Sequence, residues 1–274
     1  MEVKSENGVI TVEFPDTFDI KQTLECGQLF RYRLTDSGAT VFSRDKRAEM
    51  TAEDGKIKIF TEDERYFLKY LDFATNYAII IEKVQDKGLV SAAAAFARGI
   101  RILKQDPYET TISFIVSANN NIPRIKSIIE RICGELGRDM GGWHAFPEMG
   151  ALASKDADFY FRLGAGYRAP YIAETAKLLT KIDLEDVRKL PTDEAARVLT
   201  DLPGVGPKVA DCVLLFGLGK TDVFPVDTWI KKVYRDMFGD AAPAVMRREL
   251  VRRYGELAGY VQQYLFYYKR EKNS

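Results

Sequence analysis

Leu202-Pro203-Gly204-Val205-Gly206-Pro207-Lys208-Val209-Ala210-Asp211-Cys212 is the stretch that decides the fold. Helical periodicity runs on both sides of it, over residues 192–202 and 207–218, so it reads as two helices joined by a tight turn. Gly204 and Gly206 let the backbone turn sharply, with positive φ and no Cβ in the way. The N–H groups of the turn then point outward at the start of the second helix, where the dipole also favours an anion. Such a turn can hold a phosphate without any basic side chain. A plain αα-hairpin fits the glycines equally well.

Lys208 shifts that balance. Pro207 occupies the first helical position, which puts Lys208 in the first turn, at the positive end of the dipole. A cation is disfavoured there, and Asp or Glu would be the ordinary choice. The same setting, with Cys212 one turn on and Val209 and Val213 beside it, favours the neutral amine. A neutral amine is what a Schiff-base nucleophile needs. The alternative is a lysine that simply reaches into solvent.

The second segment is Phe224-Pro225-Val226-Asp227-Thr228-Trp229, only 19 residues beyond Lys208. Asp227 reads first as the N-cap of the following helix. One helix and a return loop separate it from Lys208, so the two side chains can face each other. A carboxylate beside a sugar stabilises an oxocarbenium-like transition state and helps the amine shed its proton. Capping and catalysis are compatible roles for one side chain.

Working outward, the first 60 or so residues read as short antiparallel strands. Ile10, Val12 and Phe14 alternate with polar neighbours, and Asp36-Ser37-Gly38 and Asp54-Gly55 supply turns. From about Tyr66 the period becomes helical and stays so. Asp106-Pro107 starts a helix that runs to Ser117, Asn119-Asn120-Asn121 interrupts it, and 122–136 resumes with Ile125, Ile128, Ile129 and Ile132 on one side. Further helices are expected over 156–163, 167–180, 192–202, 207–218, 228–238, 243–254 and 258–269. The fold class is therefore α+β: an N-terminal antiparallel β-sheet domain over residues 1–85, then an all-helical body of two subdomains over 86–274. The hairpin spans 192–218 and the helices of 228–274 close the pocket.

Composition sets outer limits. The chain has 274 residues, 46% of them apolar and 29% charged, with zero formal net charge. The charge is unevenly placed: ten Lys/Arg stand against five Asp/Glu from Lys231 to Ser274, so this tail is +5 and the remainder −5. That asymmetry can form one basic face on a neutral protein. No segment has the ~18 apolar residues of a membrane span, and the N-terminus lacks the apolar core of a signal peptide. Cys26, Cys133 and Cys212 are too widely spaced for a disulfide framework or a metal site, which suits a reducing cytoplasm. His144, the single histidine, lies beside Trp143 in a loop and is read as structural.

Taken together, the Leu-Pro-Gly-Val-Gly turn, the lysine two residues on and the Pro-Val-Asp that follows resemble the helix-hairpin-helix-GPD superfamily of DNA glycosylases. Within it, the chain resembles the 8-oxoguanine DNA glycosylase/AP lyases that carry an N-terminal antiparallel β domain. The likeness extends over roughly residues 18–269, and Ser117-Ala118-Asn119-Asn120-Asn121-Ile122-Pro123-Arg124-Ile125 is a further specific motif.

The resemblance implies a role for each matching residue. Lys208 attacks C1′ of a flipped nucleotide, and Asp227 is the catalytic carboxylate. Gly27, in Cys26-Gly27-Gln28-Leu29-Phe30-Arg31, offers its carbonyl to N7–H of 8-oxoguanine, a proton that guanine lacks. Gln262 reads the Watson–Crick edge, while Phe266 and Cys212 sandwich the base. Asn119, Arg124, Tyr167 and Arg168 fill the vacated stack and contact the orphaned cytosine, and Gly204 and Gly206 hold a phosphate. Each of these also has an ordinary reading, Phe266 as a core aromatic, Asn119 as a loop residue and Tyr167-Arg168 as a helix start.

The expected partner is double-stranded DNA containing 8-oxoguanine, bound by a monomer in the cytoplasm at the nucleoid. No cofactor is required, although a monovalent or divalent cation could sit at the hairpin carbonyls. Trp229 stands where members of the family often carry a histidine near the 5′ phosphate, so the resemblance assigns no such contact to this chain. Little chain follows the last helix, so no additional C-terminal function is expected. Two other readings compete. A monofunctional glycosylase using Asp227 and water has no need of Lys208, and a non-catalytic hairpin module that binds DNA would account for neither residue. The absence of four clustered cysteines after Trp229 excludes an iron–sulfur relative.

Overall fold

The computed structural model describes residues 1–84 and 88–272. The boundary drawn between residues 85 and 86 lies outside the described residues.

Six antiparallel strands form one sheet: β1 (Glu2–Glu6), β2 (Val9–Glu13), β3 (Tyr32–Thr35), β4 (Gly38–Ser43), β5 (Lys46–Glu53) and β6 (Lys56–Thr61), in the order β1-β2-β6-β5-β4-β3. The register places Ile10 beside Ile59, Val12 beside Ile57, and Met50 beside both Ile59 and Ala39. These positions are all buried, so strand alternation gathers the apolar side chains on one face. That face packs on Phe67, Tyr70 and Leu71 from the Glu64–Tyr70 helix. Asp54-Gly55 turns as read, both residues at positive φ, and Asn7-Gly8 makes an equivalent turn between β1 and β2.

The stretch read as wholly β also holds a helix, Ile20–Glu25, capped by Asp19, whose carboxylate accepts the N–H of Gln22 at 2.7 Å. Six residues are too few to show a helical period, and tertiary packing of Ile20 and Leu24 sustains the turn. The chain leaves this helix through Cys26 to Phe30, and here it changes core. Ile20, Leu24 and Leu29 pack with the sheet, whereas Cys26 and Phe30 pack with the helical body. The loop between them is thereby carried to the junction of the two layers.

The body folds as two helical groups. In one, Ala258–Glu271 packs on Leu89–Phe96, Thr228–Phe238 and Pro243–Tyr254. In the other, Pro107–Ser117 packs on Ile122–Leu136 and Ala169–Leu179, and the last of these also packs on Met149–Ala153 and Ala157–Arg162. The expected cap at Asp106 is in place, accepting the Glu109 N–H, and Asn121, read only as part of an interruption, caps the next helix by accepting the Arg124 N–H. Thr192–Thr200 and Pro207–Cys212 form the hairpin. A helix over Leu184–Lys189, capped by Asp183, was not anticipated. The helix expected over 207–218 changes at Cys212 into a π-turn, Val213–Gly217, with Leu218 N–H reaching back to Val213 O at 2.9 Å.

Candidate active site

The two helical groups and the Cys26–Phe30 loop enclose a cleft of about 780 Å³. Its floor is aromatic: Phe30 lies edge-on to Phe114, which stacks on Phe216 with centroids 5.6 Å apart.

Lys208 enters from the hairpin. Its half-buried side chain carries Nζ to 5.2 Å from the Phe114 ring centroid. Cys212 lies one turn on, and burial pushes its thiol up to about 11, partly offset by the Lys208 amine beside it. Asp227 completes the wall as the N-cap of Thr228–Phe238, accepting Ile230 N–H at 2.8 Å. Burial raises the Asp227 carboxyl above its ordinary range, while the Ile230 amide and Lys208 pull it back down.

The turn that delivers Lys208 depends on one glycine rather than two. Gly204 has φ +79°, and a Cβ there would lie 2.7 Å from Cβ of Tyr171. Gly206 has φ −81°, which any residue adopts, and a Cβ there would meet nothing within 4 Å. The expectation that both glycines need positive φ is corrected accordingly. No side chain caps the helix at Gly206, which leaves a bare, exposed peptide edge beside the cleft.

Opposite the hairpin stand Gly27, Gln262 and Phe266. Gly27 has φ +78°, and a Cβ there would press to 3.1 Å from the Phe266 ring. Gln262 lines the cleft and is 4% exposed; its Oε1 is buried and has no hydrogen-bond partner, an acceptor left uncompensated in the wall. The loop is held from several sides. The wholly buried Gln28 side chain donates to Thr23 O and Arg101 O, both at 2.8 Å, and accepts Leu103 N–H at 2.9 Å. From the C-terminal helix, Gln263 donates to Cys26 O and Arg270 to Glu25 O, each at 2.6 Å.

Asn119 lies on the cleft rim, exposed and at φ +49°, next to Asn121 and Ile122. Three expected residues do not line the cleft. Arg168 is buried, and its guanidinium donates to Ala118 O, Asn119 O and Ala165 O, thereby building the Asn119 loop from beneath. Tyr167 is 55% exposed, with its hydroxyl on Ala118 O. Arg124 is exposed on the first turn of Ile122–Leu136, within 3.4 Å of Gly164 O. Trp229 and Lys231 also border the cleft. The His144 main-chain carbonyl accepts from buried Arg31. Sequence reading missed Gln263 and Arg270, whose partners lie more than 230 residues away; the one local signal was a pair of adjacent glutamines among the apolar and aromatic residues of that helix.

Among the described residues, no group of three or more His, Cys, Asp or Glu side chains gathers as a metal site. No helix among them is long and apolar enough to cross a membrane.

Two family models match. Residues 112–254 match the HhH-GPD superfamily base excision DNA repair proteins, and residues 11–111 match the 8-oxoguanine DNA glycosylase N-terminal domain. The helical body is thus that of the superfamily, and with its N-terminal sheet the chain belongs to the 8-oxoguanine DNA glycosylase family, enzymes of base excision repair. Among relatives, a probable N-glycosylase/DNA lyase of Methanothermobacter thermautotrophicus is 37% identical over 68% of this chain and 68% of its own length. The N-glycosylase/DNA lyase OGG1 of Arabidopsis thaliana is 32% identical over 89% and 75%. The 8-oxoguanine glycosylase/lyase of Clostridium acetobutylicum, solved with double-stranded DNA containing cytosine opposite 8-oxoguanine, superposes with a TM-score of 0.94 at 32% identity, over 100% of this chain and 99% of that one.

Proposed function

We propose that the chain excises 8-oxoguanine from duplex DNA, preferably opposite cytosine, through a lysine Schiff base, and then nicks the strand by β-elimination. The observation that carries this reading is the convergence of Lys208 and Asp227 on one cleft that Gly27, Cys212, Gln262 and Phe266 also line.

The chemistry follows from those positions. The flipped base enters between Cys212 and Phe266, N7–H meets the Gly27 carbonyl, and Gln262 takes the Watson–Crick edge. Guanine would set a lone pair against the same carbonyl and lose that bond. The Lys208 nitrogen attacks C1′ as the C1′–N9 bond breaks, and the base leaves with the bonding pair. Asp227, ionised, stabilises the positive charge that develops on the sugar. The aminal then opens at C1′–O4′ to the imine. Loss of a C2′ proton expels the 3′ phosphate, and water releases Lys208. The bare edge at Gly206 suits a phosphate 3′ of the lesion, and a cation at the hairpin carbonyls would only brace that turn.

Asn119 fills the vacated stack, and Arg124 and Tyr167 meet the orphaned cytosine, whose acceptors suit a guanidinium. Arg168 acts chiefly by holding Asn119. The C. acetobutylicum relative, bound to DNA with that pairing, supports the preference. The enzyme acts as a monomer on DNA of the nucleoid.

Borohydride added during turnover on 8-oxoguanine duplex should trap a covalent protein–DNA adduct, and Lys208→Gln should abolish both the adduct and nicking. An adduct that persists in the variant would refute the assignment. Duplexes with each of the four bases opposite the lesion test the cytosine preference, which equal excision would remove.

A further inference from the structure

We infer that Gln263 and Arg270 are positioning residues for lesion discrimination: they clamp the peptides before Gly27 so that its carbonyl stays aimed at the base. The inference rests on the reading of Gly27 given above and goes beyond it by assigning what holds that carbonyl.

Glycine has the widest backbone freedom of any residue, and Gly27 sits in the left-handed region at φ +78°. Discrimination by one hydrogen bond requires that acceptor to keep its direction, which glycine does not do unaided. The peptides around it are anchored from outside instead. Gln263 donates to Cys26 O, the carbonyl of the peptide that enters Gly27. Arg270, two turns further along the same helix, donates to Glu25 O. Past Gly27, the triply bonded Gln28 amide fixes the outgoing side.

Gln263 is only 2% exposed, so its amide has no water to bond if the loop moves. Releasing Cys26 O would strand both groups in the interior, an outcome buried polar groups resist. The clamp also ties recognition to the helix that carries Gln262 and Phe266. The N7–H acceptor and the Watson–Crick reader are therefore mounted on one rigid unit, although Gln263 and Cys26 are 237 residues apart in the chain.

The test compares base excision with cleavage at a preformed abasic site, which uses Lys208 and offers no base to Gly27. In Gln263→Met the length and packing are kept and the donor is removed. Single-turnover excision of 8-oxoguanine opposite cytosine should fall roughly tenfold or more relative to abasic-site cleavage. The ratio of 8-oxoguanine to guanine affinity should fall with it. Arg270→Met should move the ratio in the same direction, and the double variant should show less than the product of the two single effects. Excision and abasic cleavage falling in step would make Gln263 merely structural and overturn the inference, as would an unchanged ratio. Wild-type protein that cleaves abasic DNA but leaves 8-oxoguanine in place would instead sink the functional reading on which the clamp depends.

Discussion

On the proposed mechanism Asp227 carries two duties, which a single substitution can separate. Its carboxylate caps Thr228–Phe238 through Ile230 N–H, and it lines the cleft together with Lys208. Asparagine keeps a capping oxygen and is as good an N-cap as aspartate, but it cannot carry the charge. Burial holds the Asp227 pKa above its ordinary value of 3.8, so protonation sets in at a higher pH than for an exposed aspartate. Excision should rise with pH through that elevated pKa and be lost below it, because only the ionised form stabilises the oxocarbenium-like state. Asp227→Asn should remove this acid limb and slow excision by about 10² or more. The sign for stability is opposite: a carboxyl raised on folding favours the protonated folded form, and ionised Asp227 costs stability at neutral pH. The variant should therefore melt at or above the wild-type temperature at pH 7. Rates measured across the acid range, alongside thermal unfolding, check both; an unchanged acid limb in the variant would reassign the titration to another group.

At the level of elements, the hairpin shows how far local rules reach. Helix starts at Asp106 and Asp227 were legible because a capping side chain and its N–H partner lie within three residues of each other. Ile20–Glu25 and Leu184–Lys189 carry aspartate caps too, at Asp19 and Asp183, but an Asp before so short a segment reads equally well as a turn. The π-turn after Cys212, which packing against Pro107–Ser117 accompanies, was not legible either. Between the two glycines, composition gave no means of telling which one the backbone requires. The structure separates them. Gly204→Ala places a methyl group against Tyr171 at a φ that L-residues avoid, and should destabilise the protein by about 2 kcal/mol or more in urea unfolding. Gly206→Ala meets open space at an ordinary φ and should leave stability unchanged or raise it by up to ~1 kcal/mol. If the bare Gly206 edge receives a phosphate, that same methyl should weaken duplex binding. Binding of Gly206→Ala at wild-type strength would remove the hairpin edge from the DNA interface.

For the molecule as a whole, a charge network centred on buried Arg31 and Glu109 joins the sheet domain to the helical body. Arg31, just before β3, donates to Glu130 and to His144 O and lies 3.8 Å from Glu109. Arg44, in the β4–β5 turn, gives its backbone N–H to Glu109 at 2.7 Å and pairs through its guanidinium with Asp106 and Glu148. None of this was visible in sequence, since the partners are 62 or more residues apart and each charge taken alone reads as a solvated one. Burial dominates at Glu109, raising its carboxyl to about 7 against the pull of Arg31 and Arg44 and with Asp106 adding to the rise. Because this folded pKa exceeds the unfolded value of 4.5, the group's contribution is fully present below about pH 4.5 and is lost as pH climbs through 7. Moving from pH 5.5 to pH 8 should thus cost on the order of 2 kcal/mol from Glu109 alone. Glu109→Gln retains an acceptor for Arg44 N–H and has nothing to titrate. At pH 5.5 Gln replaces a carboxyl that is already protonated and uncharged, whereas at pH 8 it replaces a buried carboxylate whose desolvation outweighs the pull of Arg31 and Arg44. Urea unfolding at the two pH values should therefore show a smaller pH dependence in the variant by about that amount. A pH slope identical to wild type would place the Glu109 titration outside this range and transfer the alkaline sensitivity of the domain junction to another member of the network.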